Sequence, residues 1–510
     1  MKKIHLYLPA FVLLFILSSC DKNFEDINKD PVLPTSIDPS YLFSNAIVNS
    51  AVYTLRYEDA IVQQINTPFT GVLQGGNHNV WFEANNTSSP FTTLYSTSVK
   101  LLADVLDKTQ NDEQRSNLYQ MTRIWRSYVF MMLVDTYGDV PYFESGKAYL
   151  NEIYLPKYDA GAEIYADLLK EVSEGTAGLD ASKPIEKGEP FYAGDIAKWK
   201  KLGNSLLLRL GMRYTKIDPD KAAEYVAIAT NPANGGLIES NDDNAMLKFN
   251  ATYLNPNTTT FNGSERANFY LGKPFVDFLK ATNDPRLKVI AVKYETPANP
   301  LETAGAADTD PANQNGMPYG YNEATISTAP DFPGKIGAAW KYSQINRSTL
   351  GKIDAPGFFI TYSQTQLLLA EAVVRGWLSG DAAIFYANGV KANMDQMAQY
   401  GPGAVIDETE QDDYLTANPF DAGNALEQIN NQYWVSSFMN GSEAWSNFRR
   451  SGYPALEPNP YPAADPEVKG GFIHRLVFPA RERSVNTENY NEAISRMGED
   501  NLATRVFWDQ

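Results

Sequence analysis

One thiol and three imidazoles are this chain's whole stock of soft nucleophile and soft metal ligand: Cys20, and His5, His78 and His474. Cys20 ends the opening MKKIHLYLPAFVLLFILSSC, in which Lys2 and Lys3 precede an apolar stretch and Leu17-Ser18-Ser19 precede the cysteine. That is the layout of a bacterial lipoprotein signal, whose cysteine thiol receives lipid. Residues 1–19 therefore read as a signal peptide and Cys20 as the lipidation site. The apolar run is shorter than the roughly 20 residues that cross a bilayer, and Pro9 interrupts it. A single acyl chain holds a protein only weakly, so stable attachment requires more than one on Cys20.

What remains excludes much chemistry. With the leader gone, two histidines and no second cysteine leave no disulfide, no thiolate metal site and little material for a Ser-His-Asp triad. GxSxG, the phosphate-binding GxxxxGK[ST] run and a 12-residue calcium loop are all absent from the sequence. No cofactor and no metal site are expected from these motifs, while plentiful Asp and Asn leave a structural calcium as the open alternative. A glycosidase needs two carboxylates placed across a sugar, and nothing among the 61 acidic residues singles out such a pair. The formal net charge of −18 repels nucleic acid and anionic lipid surfaces.

The aromatic content points elsewhere. Thirty Tyr, 25 Phe and 8 Trp make the chain rich in rings; most are expected to pack helices, while others fall in the Asn-, Gly- and Pro-rich connecting segments. Rings offer flat apolar faces and Asn supplies both donors and acceptors, a pairing suited to neutral polar ligands such as sugars. Two segments carry it. Gln74 to Pro90 presents Asn79, Trp81 and Phe82 beside Asn77 and His78, and the 319–342 region presents Tyr319, Tyr321, Trp340 and Tyr342. These seven residues are the expected ligand-binding set; the alternative for each ring is that it plugs its loop onto the scaffold.

Helices must position those loops. Residues 21–40 are charged and proline-punctuated and read as a tether, so 20–40 form the lipidated N-terminus. Helical spacing of apolar residues predicts helices over 41–65, 115–136, 158–173, 195–216, 219–230, 361–378, 381–399 and 425–440. Asp218-Pro219 supplies an N-cap with proline at the first helical position, and Gly138 with Pro141 ends the second helix. Helix pairs with aromatic and small residues at their seams suggest a tetratricopeptide-like scaffold. The segments 231–270 and 296–357 read as ordered excursions with short strands.

Taken in order, several segments resemble the SusD/RagB family of nutrient-binding outer-membrane lipoproteins. They are Asp21 to Asn28, Asp135-Thr136-Tyr137-Gly138-Asp139-Val140-Pro141-Tyr142, Asn204 to Pro219, Tyr362 to Trp377, Glu443 to Pro454, and the tail from Arg475 to Asp509. The resemblance implies one mostly α domain over 41–510, with four tetratricopeptide-like helix pairs, long irregular ligand-binding loops and few short strands. It implies a lid on a SusC-type TonB-dependent outer-membrane transporter, at the cell surface, capturing oligosaccharide for import. A peptide-binding lid is the alternative, and a surface glycan-active enzyme a further one. Glu443, Arg449 and Arg450 are expected as ion pairs fixing a helix end against the tail, and Trp199, Trp377 and Trp445 as core.

Overall fold

The computed structural model describes residues 37–51, 57–81, 88–298 and 308–510. The leader, Cys20, the tether as far as residue 36, and Phe82 lie outside the described residues.

Helices of nine residues or more are labelled in chain order: α1 (Pro39–Ser50), α2 (Lys100–Thr109), α3 (Ser116–Tyr137), α4 (Gly161–Ala177), α5 (Ile196–Met212), α6 (Pro219–Ala229), α7 (Lys273–Ala281), α8 (Tyr362–Val374), α9 (Ala382–Gln396), α10 (Glu408–Ala417), α11 (Ala425–Ser436), α12 (Gly441–Ser451) and α13 (Thr487–Met497). Four sequential pairs pack within themselves: α3 on α4, α5 on α6, α8 on α9 and α11 on α12. The pairs then stack, α4 against α5, α5 against α8 and α8 against α11. The fold is mostly α, as the sequence patterns predict.

Local chemistry sets the helix ends. The Asp218 side chain accepts from Lys221 N and Pro219 opens α6. Thr361 and Gln364 close a reciprocal capping box at the start of α8. Gly138 ends α3 at φ 83°, a conformation that costs a side chain but not glycine. α3 is buried along most of its length, with α2 and α4 packed against it.

Two expected boundaries shift. The helix expected over 41–65 stops at Ser50, and Gln63 turns left-handed (φ 60°) before the chain enters a strand at Ile65. The helix expected over 425–440 ends at Ser436, Met439 then turns left-handed (φ 70°), and α12 starts behind Asn440.

Buried ions stitch the stack. Arg213, just past the end of α5, gives Nη2 to Glu443 of α12 at 2.7 Å and Nε to Asp135 of α3 at 3.1 Å. Trp508 of the C-terminal tail donates to the same Asp135 at 2.9 Å. Arg450 of α12 grips Glu371 of α8 with two bonds of 2.7 Å. Glu443 and Arg450 thus join helix to helix, and of the expected trio only Arg449 faces the tail. It donates to His474 O and lies over the rings of Trp445 and Trp508 at 3.8 and 4.8 Å. Trp199 and Trp445 are buried, whereas Trp377 is half-buried against the core.

Among the described residues four two-stranded antiparallel sheets join the loops between helices. Their strands are β1 (Ile65–Asn66), β2 (Ala245–Leu247), β3 (Tyr270–Leu271), β4 (Ala291–Val292), β5 (Lys335–Ile336), β6 (Ala339–Trp340), β7 (Gln344–Ile345) and β8 (Gly357–Ile360). The pairs are β1–β3, β2–β8, β4–β7 and β5–β6. Each but the last joins segments distant in sequence, so the excursions are pinned to one another.

Candidate functional site

The β1–β3 pair is the base of the site. Leu271 N donates to Ser343 O and Met317 N to Leu271 O, both at 2.8 Å, so 315–343 is laced along β3. The β5–β6 hairpin then delivers Trp340, whose backbone N–H donates to Tyr270 Oη at 3.1 Å.

Around that base stands a second apolar cluster, separate from the main core. Tyr270, Met317, Ile326, Ala329, Trp340 and Tyr342 are buried in it, and Phe69, Tyr321 and Phe332 pack half-buried against it. Ring centroids lie 5.1 Å apart for Phe69–Trp340 and 6.0 Å for Tyr270–Trp340, tilted or edge-on as aromatic quadrupoles prefer.

The two segments singled out in the sequence meet here. His78 Nε2 lies 3.1 Å from Tyr321 O, and the His78 ring stacks on Tyr461 from a third loop. Burial pushes the His78 imidazole below its ordinary pKa, so it is neutral at neutral pH. Asn79 is turned inward: its Nδ2 donates to Gly471 O and its carbonyl receives Asp465 N.

The rings do not all face outward as expected. Tyr319 is buried and gives its hydroxyl to Ile65 O. Trp340 is 1 % and Tyr342 3 % exposed, so neither presents an open flat face. The reason is the tight lacing along β3, which drives both rings into the second cluster. Trp81 and Tyr321 are half-buried at the surface, with the Arg483 guanidinium 4.9 Å over the Trp81 ring.

Trp340 and Tyr342 instead wall a cavity of about 310 Å³, at the lower end of the ~300–1,000 Å³ typical of small-ligand sites. Lys293, Glu295, Asp308 and Lys341 supply its polar lining, and Ile336 and Pro333 more apolar surface. Both Asp308 oxygens are occupied within the turn that follows, one by Asp310 N and one by Asn313 Nδ2. Among the described residues no group of three His, Cys, Asp or Glu is placed to hold a metal.

Sequence reasoning missed Phe69, Phe332, Tyr461 and the cavity residues from Lys293 to Asp308. Tyr461 sits in the proline-rich stretch Tyr453 to Pro466, a ring in a loop of the same kind as 319–342.

A family model described as "Starch-binding associating with outer membrane" matches residues 31–479. The chain belongs to this SusD-like family. Among solved structures, one titled a chitin-binding protein is 30% identical, with 93% of this chain and 100% of that chain covered and a TM-score of 0.79. A SusD-like protein titled Bacteroidetes AC2a is 27% identical over the same shares, with a TM-score of 0.77. An outer membrane protein from Bacteroides vulgatus ATCC 8482 shares the fold at 22% identity and a TM-score of 0.76, again over 93% and 100% of the two chains. No match was found among the curated proteins. SusD-like proteins are binding proteins, and the family is associated with the outer membrane. Among the described residues no helix is long and apolar enough to cross a membrane.

Proposed function

We propose that this SusD-like chain is a surface lipoprotein, held by lipid on Cys20, that captures oligosaccharide and delivers it to a SusC-type TonB-dependent transporter as its lid. The observation that carries the ligand class is the cavity lined by Trp340 and Tyr342, with half-buried Tyr321 packed on the same cluster and Trp81 three residues beyond the His78 that contacts Tyr321. Apolar walls with a few convergent charged groups suit a sugar ring, whose C–H face is apolar and whose hydroxyls both donate and accept. The chitin-binding relative, similar along nearly the whole chain, supports N-acetylglucosamine oligomers as the first candidates.

Binding without turnover fits the acids present. Asp308 accepts from Asp310 N on one oxygen and from Asn313 Nδ2 on the other, the contacts of a residue that shapes its turn. The anchor reading rests on the Leu17-Ser18-Ser19-Cys20 ending of the leader and on the family's association with the outer membrane.

The test is calorimetric titration of the full chain, in detergent, with chitooligosaccharides, maltooligosaccharides and peptides. Saturable binding of a glycan without its cleavage is expected. Binding of peptides alone sinks the glycan assignment, and failure of a large barrel protein to co-purify from membranes sinks the lid assignment.

A further inference from the structure

Away from the aromatic face, a cleft of about 450 Å³ opens beside the turn Asn241–Asp243, the first residue of α8 and the second half of α9. Tyr362, Asn241, Asp242, Asn388, Lys391 and Asp395 line it. We infer that this cleft is a second sugar site, built for one hydroxyl-rich, non-acidic sugar unit. It shares no lining residue with the cavity at Trp340.

The cleft is preformed. Tyr362 N donates to Asn244 Oδ1 at 2.7 Å, Asn244 Nδ2 to Asn241 Oδ1 at 3.1 Å, and Asn241 Nδ2 to Ala392 O at 2.9 Å. This chain of amides locks the turn, α8 and α9 together and holds the half-buried Tyr362 ring at the helix start. A ligand meeting such a site pays little for ordering it.

Its chemistry selects by elimination. Lys391 is the one ammonium in the lining, and Asp412 already neutralises it at 2.5 Å. The nearest further ammonium, Lys198, sits on Asp242 O at 2.6 Å but faces Asp243 at 3.7 Å, so Asp242 and Asp395 leave the lining acidic and acidic ligands are disfavoured. Apolar surface is limited to the Tyr362 ring and Ala392, too little for a lipid or an apolar drug-like molecule. A metal is not favoured, for no set of three His, Cys, Asp or Glu converges among the described residues. What fits is a ligand that covers one ring with C–H groups while its hydroxyls donate to carboxylates and accept from amides. Carboxylate acceptors make the stronger, charge-assisted bonds. Asp242 and Asp395 are exposed, and Asp395 has one oxygen engaged, by Gln411 Nε2 at 2.7 Å.

Two sugar sites on one chain would raise the avidity for a long glycan over that for a short one, by making the second contact intramolecular.

The test titrates the full chain in detergent with chitotriose, maltotriose and trigalacturonate by calorimetry. Two sites per chain are expected for at least one neutral trisaccharide, and none in this cleft for trigalacturonate. Asp242→Asn with Asp395→Asn keeps shape and should weaken the second site about tenfold or more, leaving the first unchanged. Tyr362→Ala should abolish it, with circular dichroism confirming the fold. Trp81→Ala weakens only the first site, so failure of the aromatic-face reading is told apart from failure here. A single site or none for both neutral sugars, or tighter binding of trigalacturonate, or no change in the Asp variant, overturns the inference.

Discussion

His78 lies face to face on Tyr461, with ring centroids 4.0 Å apart and planes within 17°. The same imidazole reaches Tyr321 O through Nε2, so three loops meet on one buried ring. Donation to a carbonyl requires the proton on Nε2. Burial disfavours the charged form and sets the folded pKa below the ordinary 6.5. The unfolded chain then binds more protons than the folded one at mildly acid pH, so stability falls as pH drops below about 6.5 and levels off once the folded pKa is passed. Thermal unfolding between pH 7.5 and 5 should show this loss, and His78→Phe should remove that part of it. A histidine NMR titration with its midpoint above 6.5 would contradict the sign.

Glu371 answers to acid in a lower window. Burial pushes its carboxyl up, but Arg450 and Arg375 outweigh burial and hold it at about 2. Stability from this carboxylate is complete above its ordinary 4.5 and is lost as pH falls toward 2. Glu371→Gln leaves Arg450 buried with an uncompensated charge, at a cost of about 3–5 kcal/mol in urea unfolding. Replacing Glu371 and Arg450 together with Met should cost less than the single change, since no lone charge is left inside. The reverse ranking would show that the pair is not what links α8 to α12.

Gly272 sets the spacing between the site's base and its rings. A Cβ there would lie 2.2 Å from Gln63 O and 3.2 Å from the Tyr319 ring. Gly272→Ala must push β3 away from the Gln63 turn, costing about 1–3 kcal/mol as overpacking does. It should also weaken glycan binding, because Trp340 hangs from Tyr270 on the same strand. Unchanged affinity in a destabilised variant would separate the β3 spacing from the site.

The helices that sequence makes legible are those with an apolar stripe. α3, α4, α5 and α6 fall within a few residues of where spacing and caps place them. α12 is different: Ala444, Trp445 and Phe448 give it a short apolar stripe, but Glu443, Asn447, Arg449 and Arg450 are buried beside them, so charge on its inward face masks that stripe in the sequence. At the site, the sequence identified which loops carry rings but not which way the rings point. Trp340 and Trp81 look alike in sequence, yet pairing of β5 with β6 buries one and leaves the other at the surface. Orientation of that kind depends on contacts such as Leu271–Ser343, between residues far apart in the chain. Lys293 and Asp308 give no local signal at all, since only their strand-like bridge brings them together.

Trp81 and Trp340 therefore make opposite predictions. Trp340 is enclosed by Phe69 and Tyr270, so Trp340→Ala opens a cavity in the second cluster and should cost about 3–5 kcal/mol. Its effect on glycan affinity would follow from collapse of the cavity wall, and Trp340→Phe should recover part of both stability and binding. Trp81 sits half-buried under Arg483, away from that cluster. Trp81→Ala removes a ring packed half-buried on the main core, so it should cost about 1–2 kcal/mol, less than Trp340→Ala. It should nevertheless weaken chitooligosaccharide binding roughly tenfold, about 1.4 kcal/mol, if the ring is a contact surface. Measuring melting temperature and dissociation constant on the same samples separates the two roles. Wild-type affinity in Trp81→Ala would remove that ring from the site and leave recognition to the Trp340 cavity alone.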